Sequence, residues 1–526
     1  MIILGTTKNL LSTNDVPEFN ALVNKSNEFE KNICKIPTTK NTIQTIAGND
    51  HNKQQKIVEH AKNTYPLIHP DVVSFYGKFL DYKRSNGTKI EKIIYQGMDI
   101  PTFIIRLIEK RPLYFMGAYD AYILRDGKTQ DADFCKDNRE FQSIGKETEK
   151  TPFVLADYLS YDEQACSSLL SMSSPTFFIN NGNRNNCGEI KEKEPHELEG
   201  VYVGSVGTRF EKKGLMAWQH MIITSQQNIE KNGYGECDQG LLSLWSQLYG
   251  IKFPTHKNMT ENDINRYYIV PQNSVNDTLI FDKTVYKKHM ELVLQPFLLE
   301  ANKRGLENKK QAYVHAVGIG FGVWAVDSTI QGQCVIDTYL QIIKDNDLSS
   351  ISDIDFSWFP EKNEAPQNIL DKNNHSIMIH LSKRNPADKL AGDNEGKLLV
   401  AHYAWDSNAY PGNEYWGHNL KCYPNEPTWN TLSASGDPAA ACCSTIPQLQ
   451  NILINFYIED NTKKMYSQKP IVETADIKTE VKNTEIKIAN TIKKNWFMCL
   501  LSFKLNRLLK GCLCIPLIML IYYFYL

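Results

Sequence analysis

From Val201 to about residue 457, short apolar runs alternate with longer amphipathic segments, and few folds bury both kinds of surface at once. VYVGSVGTRF and then LMAWQHMIIT read as strand, loop, strand, and LLSLWSQLYG reads as a short helix. TVYKKHMELVLQPFLLEANKRG has the three- and four-residue apolar spacing of a long amphipathic helix, and the apolar strand AYVHAVGIGFGVW follows it closely. STIQGQCVIDTYLQIIKD predicts a further helix, and SDIDFSWF, NHSIMIHLS and KLLVAHYAW predict three more strands. Helices interleaved with short apolar strands predict an α/β domain, a sheet flanked by helices, over residues 200–457.

The flanks read differently. Residues 1–55 are rich in Asn, Lys and Thr and read as a flexible lead-in. Residues 56–195 read as a helical extension with a polar, loop-prone insertion (NNGNRNNCGEIKEKEP) over its second half. Residues 458–494, rich in Lys, Glu, Thr and Ile, read as a linker, and 495–526 as a hydrophobic tail. Within that tail Gly511–Leu526 is 16 residues without a charge. As a helix it would span roughly 24 Å, short of a hydrocarbon core of about 30 Å. Lys504, Arg507 and Lys510 separate it from a second apolar patch, Trp496–Phe503. A tail anchor and a membrane-surface segment both fit. The linker keeps the tail away from the core, so membrane attachment is expected over a buried helix.

Composition removes several classes. Lys+Arg of 58 against Asp+Glu of 60 gives no basic excess for nucleic acid. Twelve dispersed cysteines with no CxxC pair argue against a disulfide scaffold and against structural zinc. MIILGTTKNLL lacks a basic n-region and so does not read as a secretory signal. A reducing, cytoplasmic setting is expected.

Three segments could carry chemistry. In HAVGIGFGVWAVD a strand runs into Gly318, Gly320 and Gly322 and a helix follows. Alternate glycines let backbone amides approach a ligand, and a following helix N-terminus favours a pyrophosphate. The spacing is neither GxGxxG nor a Walker loop, so glycines placed for close strand packing remain the competing reading. In KLLVAHYAWDSNAYPGNEYW a strand ends in a loop bearing Asp406, Ser407, Asn408, Gly412, Asn413 and Glu414. Such loops at strand ends are where α/β sheets place ligands, and Asx turns bonding their own backbone are the alternative. In SDIDFSW the two-residue period puts Asp353 and Asp355 on one face, which suits general acid/base work or a solvated edge. Asp327 and Asp337 flank the same region, and Asp345 reads as a solvent-exposed acid. Arg209, Gln219 and His220 lie in an alternating segment where a lone His reads as a packed strand residue. No partner is recognisable near any cysteine or near a GxSxG serine, and HExxH is absent.

A glycine-rich and an Asn/Asp-rich strand-ending loop are similar to the two halves of a macrodomain's ADP-ribose cleft. The order is permuted, as in the poly(ADP-ribose) glycohydrolase branch, but the GGG-x-QEE signature of that branch is missing. RFEKKGLMAWQHMI, ISDIDFSWFP, SKRNPADKL, YAWDSNAYPGNEYW and SASGDPAAACCSTIPQLQN resemble the MavL-type macrodomain-like effectors of Legionella over about residues 200–452. The resemblance implies a three-layer macrodomain-like sheet and an arginine-directed ADP-ribosylhydrolase. ADP-ribosylated ubiquitin in a host cell is its implied target, with ADP-ribose as substrate moiety and neither metal nor cofactor. It also implies that Asp337 and Asp355, then Asp327 and Asp353, hold the distal ribose or act on water. Gly318, Gly320, Phe321, Gly322, Val323 and Trp324 would hold the pyrophosphate, and Asp406, Asn408, Gly412, Asn413 and Glu414 would line the ribose. A non-catalytic, membrane-tethered ADP-ribose-binding adaptor is the alternative.

Overall fold

The computed structural model describes residues 18–24, 43–116, 120–131, 140–183, 190, 195–235, 240–259, 263, 265–271, 278–322, 324–405 and 409. Their main element is an eight-stranded mixed sheet. Its strands are β1 (Tyr65–Ile68), β2 (Leu170–Phe177), β3 (Glu199–Ser205), β4 (Ala312–Val317), β5 (Ile351–Ser357), β6 (Asn368–Leu370), β7 (Ser376–Ser382) and β8 (Leu398–Ala404). The order across the sheet is β1-β2-β3-β8-β4-β5-β7-β6. The five central strands, β3, β8, β4, β5 and β7, pair in parallel. Antiparallel strands close both edges.

Parallel neighbours need crossover connections, and buried central strands need cover on both faces. One cover is helical. Helix α1 (Lys283–Asn308) leads into β4, and α2 (Ser328–Asp345) carries the chain from β4 to β5. Asp282 caps the first and Asp327 the second, each carboxylate accepting from two backbone amides of the opening turn. Phe297 of α1 stacks on His402 of β8 (centroids 4.3 Å apart), and Tyr339 of α2 meets Phe356 of β5 edge-on at 5.1 Å. On the opposite face Tyr202, Tyr313, Leu399 and Ala401 pack against Leu113, Tyr114, Ala121, Ile123, Phe178, Ile179, Ala387 and Leu390.

That second cover explains where the sequence reading and the structure part. Residues 56–195 do form helices, including Pro70–Asn86 and Ile100–Glu109, but they also supply β1 and β2 to the main sheet. The loop-prone reading of 125–195 missed β2. LSMSSPTF alternates small polar and apolar residues and gains its strand character from pairing with β3 along seven positions. LMAWQHMIIT, read as a strand, is instead the helix Ala217–Met221 followed by the two-residue strand Ile222–Ile223. Among the described residues no helix is long and apolar enough to cross a membrane. The linker and hydrophobic tail lie outside them.

Burial in these layers leaves four histidines neutral. Desolvation holds His220 and His402 at about 3, and His289 and His315 at about 4, against an ordinary 6.5. An unfolded chain takes up these protons near pH 6.5 and the folded chain does not. Stability is therefore complete above that pH and falls as the solution is acidified towards 4. Asp353, held down at about 2, adds its own loss only below about pH 4. His380, raised by Asp353, acts in the opposite sense. Thermal unfolding followed at pH 7 and pH 4.5 is expected to show a lower Tm in acid. His402→Leu, which removes one of the four sites, should lose fewer degrees across that interval than the parent.

Candidate active site

Because the five central strands run in parallel, the segments that follow them leave one edge of the sheet together. The pairing of β4 with β8, His315 beside Ala401, sets the glycine turn that begins at Gly318 next to Trp405, where β8 ends. The segment after β3 reaches the same place. The Trp405 amide donates to the Ser205 carbonyl at 2.9 Å, and the Phe210 amide donates to the Trp324 carbonyl at 3.1 Å. Asp406, Ser407, Asn408 and residues 410–414 lie outside the described residues, as does Val323.

The glycines divide between packing and access. A Cβ on Gly207 would stand 2.3 Å from the Gly320 nitrogen, and one on Gly318 would stand 2.1 Å from the Phe321 ring. Gly320, at φ +78°, needs the left-handed conformation that side chains resist. Gly322 faces open space. Among the described residues the amides of Ile319, Gly320, Phe321 and Gly322 donate no hydrogen bond. They form a short row of free donors where a strand turns towards a helix. The helix contributes less than its position suggests. Asp327 takes the Thr329 and Ile330 amides of α2, and Gln331 takes those of Val326 and Asp327 just before it, so most amides at this helix start are already used.

Asp353 and Asp355 share the face of β5 that turns away from α1 and α2. Asp355, 2 % exposed, accepts from the Tyr313 hydroxyl at 2.8 Å, from Ser357 at 3.0 Å and from Ser382 at 2.7 Å. These donors come from β4, β5 and β7, so the sheet itself orients the carboxylate. Burial and the neighbouring carboxylate push the Tyr313 phenol well above its ordinary value, so it remains a donor. The Arg384 guanidinium lies over that ring at 4.9 Å. Asp353 is bound by Lys397 at 2.6 Å and His380 at 2.8 Å, and these partners outweigh its burial to keep it ionised down to about pH 2.

The remaining acids separate. Asp327 is the cap of α2 and accepts from the Tyr268 hydroxyl at 2.8 Å, which with burial lifts that phenol to about 12. Asp337 lies ten residues further along the same helix, about 15 Å by helical rise. It is half-exposed and paired with Lys287 of α1 at 2.5 Å. Asp345 is exposed at the helix end, hydrogen-bonded to Gln341. The strand edge thus gathers Gly318–Gly322, Trp324, Asp327 and Asp355, and leaves Asp337 on the helical face. Gln219 and His220 fall on the Ala217–Met221 helix, where His220 stacks against Trp245 and Phe253. Among the described residues no group of three or more His, Cys, Asp or Glu is placed to hold a metal.

One cluster had no sequence signal. Asp120, fully buried at φ +57°, accepts from Arg209 at 2.7 Å, Lys212 at 2.9 Å and the Tyr161 hydroxyl. The Arg209 guanidinium also lies 5.9 Å from the Trp324 ring, and that of Arg111 lies 4.1 Å from the Trp405 ring. Trp324 and Trp405 are therefore each packed against a buried guanidinium. Arg209 was visible in TRFEKK, but its partner is 89 residues away and no local pattern marks GAYDAYI.

A sequence model described as ADP-ribosylhydrolase MavL-like matches residues 20–480. The chain belongs to the MavL-like ADP-ribosylhydrolase family. The chain is 34% identical to ADP-ribosylarginine hydrolase CG2909 of Drosophila melanogaster over 418 residues, covering 76% of this chain and 78% of that protein. It is likewise 34% identical to ADP-ribosylarginine hydrolase CG3568 of the same organism over 465 residues, 84% of each. This MavL-like chain therefore covers most of both relatives.

The two kinds of glycine make different predictions. Gly207→Ala forces the Gly320 backbone to move and should cost about 1–3 kcal/mol. Gly322→Ala meets nothing and should cost less than about 0.5 kcal/mol. Urea unfolding of the two variants beside the parent measures both.

Proposed function

We propose that this chain is an ADP-ribosylarginine hydrolase, cleaving the N-glycosidic bond between the distal ribose and an arginine guanidinium. The observation that carries the reading is the free row of amides at Ile319–Gly322, one strand away from a carboxylate oriented by three hydroxyls. The two Drosophila relatives named ADP-ribosylarginine hydrolase support it. So does the resemblance to a permuted macrodomain, with the sheet edge as its ADP-ribose cleft.

In this scheme the turn amides bind the diphosphate, and the bend after Trp405, with Asp406, Asn408, Gly412, Asn413 and Glu414, lines the distal ribose. Asp355 takes a proton from a water as its oxygen bonds to the anomeric carbon. The carbon–nitrogen bond breaks with its electron pair moving to the guanidine, which leaves as arginine after taking up the proton that Asp355 removed from the water. The carboxylate also offsets positive charge as the ribose passes through an oxocarbenium-like state. Asp353, fixed by Lys397 and His380, ties β5 to β7 and keeps Asp355 in place. The proposed protein substrate is arginine-ADP-ribosylated ubiquitin. The proposed setting is the cytoplasm of a host cell, with residues 495–526 at a membrane.

One observation favours the rival reading, an ADP-ribose-binding adaptor without turnover: Asp355 is only 2 % exposed and both its oxygens already accept. Incubation with arginine-ADP-ribosylated ubiquitin, with free ADP-ribose followed by mass spectrometry, separates the two. The hydrolase reading expects steady release by the parent chain and a loss of about 100-fold or more in Asp355→Ala, with ADP-ribose binding retained. Binding by the parent without release would establish the adaptor.

A further inference from the structure

Trp358 is a large aromatic residue left exposed where β5 ends. It follows Ser357 directly at the end of β5, is 58% exposed, and adopts φ +61°, a conformation that a bulky side chain enters only under constraint. Two hydrogen bonds impose it. Its amide donates to the Ser382 carbonyl, and its indole Nε1 donates to the Arg384 carbonyl, both at 2.9 Å. Both ends of the side chain are fixed while much of its surface stays in water. Leaving that much apolar area exposed forfeits burial energy, and the backbone strain adds to the cost.

The anchors tie this indole to the reacting group. Ser357, the preceding residue, and Ser382, the acceptor of its amide, are both hydroxyl donors to Asp355. The next residue, Phe359, packs against Phe321 of the glycine turn at 5.1 Å and Phe356 of β5 at 5.2 Å. Trp358 therefore directly follows the strand that carries the carboxylate, and it shares Ser357 and Ser382 with it. An indole whose N–H is already used has its π face left to offer, and a planar cation is the partner such a face takes best.

We infer that Trp358 is the platform for the arginine side chain of the modified protein, stacking on its guanidinium and setting the preference for arginine. The inference rests on the hydrolase reading and goes beyond it by naming the residue that recognises the leaving group. A platform for the leaving group strengthens substrate binding without contributing to the hold on ADP-ribose. Replacing it should raise KM about 3- to 10-fold with a smaller change in kcat, and leave the Kd for free ADP-ribose unchanged.

Trp358→Gly is the informative variant, because glycine relieves the left-handed strain instead of adding to it. Its Tm is expected to equal or exceed that of the parent, so a loss of function cannot be ascribed to misfolding. Trp358→Phe, which keeps an aromatic face, should recover much of the lost affinity. The assay is release of ADP-ribose from ADP-ribosylated arginine, alongside calorimetric titration with ADP-ribose. A raised KM with unchanged ADP-ribose affinity supports the platform. An unchanged KM in Trp358→Gly overturns it, and so does a parallel loss of ADP-ribose affinity, which would assign the indole to the nucleotide. A parent chain that releases no ADP-ribose overturns the hydrolase reading itself, and this inference with it.

Discussion

Parallel pairing of β4 with β8 is the constraint from which the rest of the molecule follows. It makes two strands more than eighty residues apart in sequence end side by side, so the glycine turn and Trp405 share one edge. Parallel strands buried on both faces demand a crossover helix and a second cover. The first demand produces α1 and α2. The second recruits the chain before residue 200, which contributes two strands and most of the layer over Tyr202, Tyr313 and Ala401.

That recruitment gives the N-terminal part a role at the candidate site. Arg111 against Trp405, and Asp120 through Arg209 against Trp324, place buried charge beside both tryptophans. A buried ion pair is weak evidence for stability, since desolvation cancels much of its attraction, but removing one partner leaves an uncompensated charge. What such a cluster supplies is position. Among the described residues the amides of Ile319–Gly322 have no partner, and the turn is held by tight contact between Gly207 and Gly320. Free backbone donors held in place before a ligand arrives are the preorganisation that anion binding needs.

Much of this was legible in the sequence where the signal is local. STIQGQCVIDTYLQIIKD matches α2 residue for residue, because the 3.6-residue apolar period lies within the segment. The two-residue period of SDIDFSW put Asp353 and Asp355 on one face, as found. The reading lost sight of β2, whose small polar residues form a strand only against β3, and of Asp120, whose partners come from residues 161, 209 and 212. The sequence resemblance ranks Asp337 ahead of Asp327, yet the helix makes Asp327 its cap and turns Asp337 outward to Lys287. Trp358 carried no pattern at all, since its meaning lies in a backbone angle and in the residues that fix it.

The most direct measurement is a crystal structure of the full chain with ADP-ribose bound. The account predicts diphosphate oxygens within about 3 Å of the amides between Ile319 and Gly322, with the distal ribose lying between Asp355 and the bend that follows Trp405. A diphosphate bound away from that turn, or a ribose on the helical face beside Asp337, would contradict it.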